Sequence, residues 1–454
     1  MANSNYLATE KISRLLFKFS VPTFLTLLVN QLYNLIDQIF IGQGIGIVGI
    51  AAANVAFPFF TICSALALWI GDGCSANISL FSGKGEHENA DKVFTAAVSL
   101  LLGTGFAFVF ISQLFLQPLV LLFGASPTAL EAAMAYSRII LLGLPFMMCS
   151  IAFTAIIRAD GNPQYMMRCM ILGAVINLFL DPLFIFVFKL GVEGAAAATV
   201  IGQVASGTLS LMYIPKFKTV QWKKEYALPR FNVSKQILAF GFPSLMTQLC
   251  ATLTQIVMNN LMRSCGALTV YGSDIAISSY GIMMKLYQIA HSMFVGVSSG
   301  TQPINGFNYG AKLYKRVYTT YKTAACVSIV ISAVWFLLFR FCGNPIAACF
   351  ISGDPLFHEF AVHCFKVYML AFFLYGMPMV TASFFQAVGM PRKALLITVS
   401  RQLFFLIPFA LMLSHFYGMD GALAAAPVAD ILTFIVSLAM IFTEFSHWKK
   451  ANLI

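Results

Sequence analysis

The sequence predicts an all-α polytopic membrane protein of about twelve transmembrane helices in two pseudo-symmetric six-helix lobes. Three observations predict it. Hydrophobic residues fill 59% of the 454 positions and charged residues only 10%, whereas a soluble domain needs roughly a quarter of its residues charged. Long apolar runs recur from Leu15 to Phe445. Three short motifs of the first half reappear, in order and evenly shifted, in the second.

A hydrocarbon core ~30 Å thick takes about 20 apolar residues per crossing helix. Lipid offers the backbone no hydrogen bonds, so each run must be a helix. The runs are continuous rather than alternating, which excludes an outer-membrane barrel. The spans fall near 14–40, 49–82, 90–123, 130–159, 163–189, 193–214, 233–263, 272–303, 314–341, 355–388, 391–416 and 420–445. The start, Met1 to Arg14, is polar and the first apolar run is too long for a leader core, so no cleavable signal peptide is expected. The only substantial hydrophilic break, Pro215 to Asn232, divides the chain into an N-terminal lobe (1–214), a cytoplasmic linker (215–232) and a C-terminal lobe (233–454).

The formal charge of +11 is explained by topology. Alternate loops hold Lys11, Arg14 and Lys18; Lys84 and Lys92; Arg158 and Arg168; six basic residues from Lys216 to Lys235; Lys312, Lys315, Arg316 and Lys322; Arg392 and Lys393; and Lys449 and Lys450. The opposite loops are nearly bare. This positive-inside bias puts both termini and the linker in the cytoplasm, and it removes the reason to expect a nucleic-acid partner. Cysteines such as Cys63, Cys169, Cys250 and Cys326 sit in apolar runs, with no Cys-x-x-Cys pair, and read as small apolar fillers. Cys342 and Cys349 lie close enough in sequence for a disulfide, but unpaired thiols are the expectation.

Phe19-Ser-Val-Pro22 matches Phe240-Gly-Phe-Pro243; Arg158-Ala-Asp-Gly161-Asn-Pro163 matches Gln386-Ala-Val-Gly389-Met-Pro391; Gly191-Val-Glu193-Gly194 matches Gly418-Met-Asp420-Gly421. The shifts are 221, 228 and 227 residues (19 to 240, 158 to 386, 191 to 418). Three matches in order indicate duplication. Each half has an even number of helices, so the repeats are parallel, and two such lobes leave a cleft that rocking can open to either side. The expectation is a transporter; the alternative is a duplicated bundle with no moving cleft.

Several motifs resemble the multidrug and toxic compound extrusion (MATE) family. They are Asn30-x-x-Tyr33-x-x-x-Asp37 with Gly42; Gly83-Lys-Gly85; Gly161-Asn-Pro163; Asn177-x-x-x-Asp181-Pro182; and Gln302-Pro-Ile-x-Gly306-x-Asn308-Tyr309-Gly310-Ala311-Lys312. The detail is similar to the prokaryotic branch of DNA-damage-inducible and staphylococcal-type exporters. The resemblance implies a non-enzymatic antiporter in a bacterial cytoplasmic membrane. It would export amphipathic, mostly cationic compounds in exchange for H⁺ or Na⁺, without another cofactor and as a monomer.

A carboxylate deep in a bilayer, such as Asp37, is costly unless protonated or paired. Asn30, Tyr33 and Asp37 are spaced i, i+3, i+7 and share one helix face. Alone, Asp37 could equally be a structural group bonded to neighbouring helices. Asn177 and Asp181 are spaced i, i+4 and project together, with Thr199 one turn into the sixth span. The resemblance implies that Asp37, Asn177, Asp181 and Thr199 converge as the cation-coupling site, and as Na⁺ ligands if sodium is the ion. Carboxylate, amide and hydroxyl oxygens suit hard cations. Two nearby carboxylates in a low dielectric resist double ionisation, so the pair can hold a proton or Na⁺. Pro22 interrupts the first helix's hydrogen bonds and is the expected hinge. Asn30, Tyr33 and Gln203 are the expected substrate contacts, being polar and near the acidic pair. The 44 Phe and 21 Met suit a promiscuous cleft, though most must face lipid or the helix core.

The resemblance also implies a second acidic site, on helices 7 and 10, which this sequence lacks. Gln248, Gln255 and Asn259 stand on helix 7, so coupling is expected in the N-terminal lobe alone. Asp72 reads as a structural or gating partner. Asp430, at the repeat position of Gln203, is expected to pair with Lys285 or Arg401, and an unpaired Lys285 would repel cationic substrates. Arg138 and Lys366 are expected to snorkel at the outer interface. Gly83-Lys-Gly85 and Asn308-Tyr-Gly310-Ala-Lys312 lack P-loop spacing and a preceding strand, and read as tight turns. A lipid-linked oligosaccharide flippase is the nearest alternative, but a diphosphate needs several deep cations and only Lys285 and Arg401 qualify. A membrane-embedded enzyme would need paired Asp-rich motifs or His-Glu-x-x-His, which are absent. A passive channel does not require two buried carboxylates.

Overall fold

The computed structural model describes residues 6–45, 47–123, 130–228, 230–348 and 355–453. Cys349 lies outside them; Cys342 is a free, exposed thiol. Among the described residues every regular element is helical. The first half holds α1 (Ile12–Gly44), α2 (Ile47–Lys84), α3 (His87–Leu114), α4 (Leu130–Ala159), α5 (Pro163–Pro182) and α6 (Gly191–Leu211). The second holds α7 (Phe231–Gly266), α8 (Gly272–Gly310), α9 (Tyr314–Phe341), α10 (Pro355–Tyr368), α11 (Gly376–Ala387), α12 (Pro391–Val399) and α13 (Ile407–Lys450).

Nine helical stretches among the described residues are long and apolar enough to cross a membrane. The stretch Pro391–Lys450 is 60 residues long, about 90 Å at 1.5 Å per residue, too long for one crossing. It turns at Gly418, whose φ of 59° and ψ of −134° interrupt α13. It therefore makes two spans, as the sequence reading placed them. The span expected at 355–388 is instead broken: the pieces His358–Tyr368 and Phe372–Ala387 meet at a 43° bend, the second opening on the short turn Phe372–Leu374. With this bent pair, and with α8, 39 residues long, the expected twelve crossings are accounted for.

The duplication is visible in the backbone. Gly85 and Lys312 (φ 76° and 60°), Gly161 and Gly389 (91° and 84°), and Gly191 and Gly418 (60° and 59°) are paired left-handed positions. Their shifts of 227, 228 and 227 residues (85 to 312, 161 to 389, 191 to 418) match two of the three sequence-motif shifts, and the Gly85–Lys312 pair adds a third at the same spacing. Such turns favour residues without a β-carbon, and the expected Gly-rich turns are among them.

Contacts divide the chain into two compact units: Met1–Tyr6 with Val21–Leu245, and Leu7–Ser20 with Met246–Ile454. The divisions fall inside α1, beside Pro22, and inside α7, beside Pro243. In the first unit α4 packs on α2 and α6, and α5 on α6. A cluster including Phe59, Phe94, Ile140, Leu144 and Phe153 fills its core. In the second unit α8 packs on α9, α10 and α11, around Tyr280, Phe294, Phe339, Phe365 and Phe372. Large apolar side chains such as Phe106, Phe110, Leu114, Phe179, Val330 and Phe442 are exposed. In water such a surface would associate; here it suits lipid.

The Lys-rich segment after α6 is folded onto the first unit. Asp160 Oδ1 accepts from the backbone N–H groups of Lys218 and Thr219 (2.9 and 2.8 Å), and Oδ2 from Tyr213 Oη (2.9 Å). Asp91 accepts from Gln221 N–H (2.7 Å) and pairs with Lys223 (2.8 Å). These two carboxylates sit where the donors of an otherwise irregular segment need acceptors.

Candidate functional site

The site in the first unit starts from a glycine crossing. A β-carbon on Gly173 of α5 would lie 2.8 Å from the Gly202 carbonyl oxygen of α6, and one on Gly202 would lie 2.7 Å from the Gly173 oxygen. Only glycine permits this approach, since backbone cannot yield as a flexible side chain can. One turn along α5 and just under one turn back along α6, the same crossing places Asn177 Nδ2 3.3 Å from Thr199 Oγ1. Asn177 Nδ2 also donates to Asp181 Oδ1 at 3.2 Å. Asn177, Asp181 and Thr199 are all buried. Pro182 then ends the regular ladder and α5 widens into a π turn at Leu183–Val187.

Asp37 reaches this group from α1. Its carboxyl lies within hydrogen-bonding reach of Asp181. Asp37 Oδ1 and Asp181 Oδ2 are buried with no donor among the described residues. Two ionised carboxylates cannot hydrogen-bond to each other, because both are acceptors only. The arrangement therefore needs one proton between them, or a cation in its place. Asn177 presents its amide N–H₂, which suits the protonated pair; sodium would require the amide to turn and offer Oδ1. The structure thus brings together all four residues that the sequence offered as the coupling site.

It adds Tyr136 of α4, which the sequence reading missed. Tyr136 is buried, hydrogen-bonds Thr199, and lies close enough to Asp37, Asp181 and Tyr33 to interact with each. A tyrosine in an apolar span, facing partners more than 40 residues away, leaves no mark in a single sequence. Of the expected substrate contacts, Asn30 and Tyr33 are half-buried on α1. Gln203 is buried, with Nε2 3.8 Å from Met147 Sδ and Oε1 without a donor among the described residues. Pro22 is buried, and its carbonyl accepts from Thr26 Oγ1 at 2.8 Å.

The other membrane polar groups divide. Asp72 accepts from Ser244 Oγ at 2.7 Å and lies 3.9 Å from Arg158 Nη2. Arg158 counted as a loop cation in the sequence; it is buried in the last turn of α4. Asp430 pairs with Arg401, not Lys285, at 2.8 Å from Nε. Lys285, Gln255 and Asn259 are exposed and Gln248 is half-buried. Arg138 and Lys366 are exposed. Among the described residues no group of three or more His, Cys, Asp or Glu could hold a metal ion.

Known proteins share this architecture. The chain is 26% identical over 452 residues to the multidrug export protein MepA of Staphylococcus haemolyticus, covering 99% of this chain and 98% of that one. It superposes on the outward-facing conformation of a multidrug resistance MATE family transporter of the MOP superfamily with a TM-score of 0.90, at 24% identity over 99% of both chains. It also superposes on a MATE transporter in the bent conformation with a TM-score of 0.91, at 23% identity over the full length of both. The MatE family model matches residues 22–183 and 243–412, one block in each half. With both blocks matched and the repeat visible in sequence and backbone, the chain belongs to the MatE (MATE) family.

Proposed function

We propose that this protein is a secondary antiporter. It exports amphipathic, mostly cationic compounds across a bacterial cytoplasmic membrane in exchange for H⁺ or Na⁺, by alternating access. One observation carries the proposal: Asp37 and Asp181, from separate membrane helices, share a buried pocket with Asn177, Thr199 and Tyr136. Such a pocket carries two negative charges when empty and one when it holds a single ion. An inward-moving cation gains ~2.3 kcal/mol per 100 mV of potential, and its arrival halves the negative charge that attracts an organic cation. The division of α1 beside Pro22 supports that residue as the bend point. The export activity named for the staphylococcal relative supports the substrate class. Of the two deep cations that a flippase reading needs, Arg401 is neutralised by Asp430, which weighs against a diphosphate cargo.

Everted membrane vesicles test the reading. Ethidium uptake into them is expected to stop when the coupling gradient is collapsed, by a protonophore if H⁺ drives it or by a sodium ionophore if Na⁺ does. Uptake that survives both, or that needs ATP, would contradict the proposal.

A further inference from the structure

The second unit contains a chain of buried and half-buried polar groups for which the proposal above has no use. Tyr375, at the start of α11, has its hydroxyl 2.7 Å from Tyr287 Oη and 2.7 Å from His291 Nδ1, both on α8. Tyr287 in turn hydrogen-bonds Arg401. Arg401 stands on the π turn Ser400–Leu406, with its guanidinium 4.7 Å from the centre of the Tyr375 ring and its Nε 2.8 Å from Asp430 Oδ1 on α13. Arg401 Nη2 is buried without an acceptor among the described residues. These groups come from four separate stretches of chain and meet inside one unit.

The Tyr375 hydroxyl has one proton and two neighbours at bonding distance, so it donates to one and accepts from the other. If His291 Nδ1 is bare, Tyr375 donates to it and Tyr287 donates to Tyr375. If His291 is an imidazolium, the ring donates to Tyr375 and Tyr375 donates to Tyr287. A single proton on the imidazole thus reverses both tyrosine bonds and leaves Tyr287 Oη accepting from Tyr375 as well as from Arg401. Burying an ion pair confers little stability over an apolar core of equal volume, and ionisable groups within a membrane are functional by default. Asp430 also occupies the repeat position of Gln203 (203 plus 227), which stands four residues beyond Thr199 on α6.

We propose that His291 is a second proton-binding residue, seated in the C-terminal unit and linked through Tyr375 and Tyr287 to the Arg401–Asp430 pair. The proposal rests on the antiport reading and adds a proton to it. The groups facing the imidazole are Tyr287 on its own helix, its ring stacked at 6.0 Å, Tyr375 from α11, Arg401 from the π turn, and Asp430 of α13 through Arg401. Tyr368 at the end of α10 lies beyond Tyr287, at 6.4 Å between ring centres. From α9, Trp335 reaches Met293 Sδ on α8 and Phe339 packs on the Phe372 ring beside Tyr375.

The test uses the full-length protein in proteoliposomes, with ethidium as substrate and a trapped pH dye to count protons per ethidium. His291→Gln and Tyr375→Phe are compared with wild type from pH 5.5 to 8.5, and thermal unfolding confirms that each is folded. His291→Gln is expected to move about one proton fewer per ethidium and to lose one step of the pH profile. Tyr375→Phe, which keeps the ring under Arg401 but removes the relay, is expected to shift the same step. An unchanged proton count and pH profile in either folded variant overturns the inference, as does a wild type that moves no protons. Asp37→Asn, run in parallel, separates the two readings. If it is inactive while His291→Gln matches wild type, only the second proton site fails; if it exports normally, the coupling reading itself fails.

Discussion

Asp37→Asn is expected to lower ethidium export to the level of vesicles lacking the protein, with expression and thermal stability unchanged. The substitution keeps shape and hydrogen bonding but removes the charge. Asp181 then has no acidic partner, and the pocket loses the doubly charged empty form that captures the coupling ion. Losing one coupled charge forfeits ~2.3 kcal/mol per 100 mV, about 50-fold in the gradient against which substrate can be held. Stability should not fall, because an unpaired carboxylate at membrane depth is itself costly. Asp181→Asn should have the same effect, and the double variant should be no worse than either, since both carboxyls serve one ion. Initial rates in vesicles matched for protein content are the measurement; normal export by either single variant would remove the pair from the mechanism.

Asp430→Ala is expected to destabilise the protein by about 3–5 kcal/mol, the usual consequence of leaving one partner of a buried ion pair uncompensated. Arg401 has 11% of its side chain exposed and Asp430 only 3%, so solvent cannot replace the lost partner. Replacing both, as Arg401→Met with Asp430→Leu, should recover most of that loss, because desolvation of the pair is then avoided. Unfolding in detergent with a mild denaturant measures the difference. A single variant as stable as the double would show that water reaches Arg401. The double variant should still lack the pH response assigned to His291, which separates a stabilising role from a signalling one.

Much of the fold could be read from the sequence, because hydropathy reports crossings and the repeat reports symmetry. Gly191 and Gly418 were visible as matched motifs, and both take left-handed turns. The bend between α10 and α11 was not visible: Leu370 to Leu374 is apolar throughout, and a hydropathy window cannot register a change of helix axis. Asp37, Asn177 and Asp181 were readable because polar groups at helical spacing stand out in an apolar span; their convergence with Thr199 was implied by the family resemblance. Arg158 misled, because it adjoins a loop in sequence while its partner Asp72 lies 86 positions earlier (158 minus 72). Tyr136 and the Tyr287–Tyr375–His291 chain were hidden for a related reason. Aromatic residues are common in membrane spans, and only tertiary contact distinguishes a hydroxyl with a task from one at a lipid interface.

The affinity of purified protein for tetraphenylphosphonium, measured across pH and sodium concentration, tests the central claim most directly. Competition for the Asp37–Asp181 pocket predicts that wild-type affinity falls as the coupling ion rises, H⁺ or Na⁺, and that Asp37→Asn is insensitive to both. A wild-type affinity unaffected by either ion would contradict the account.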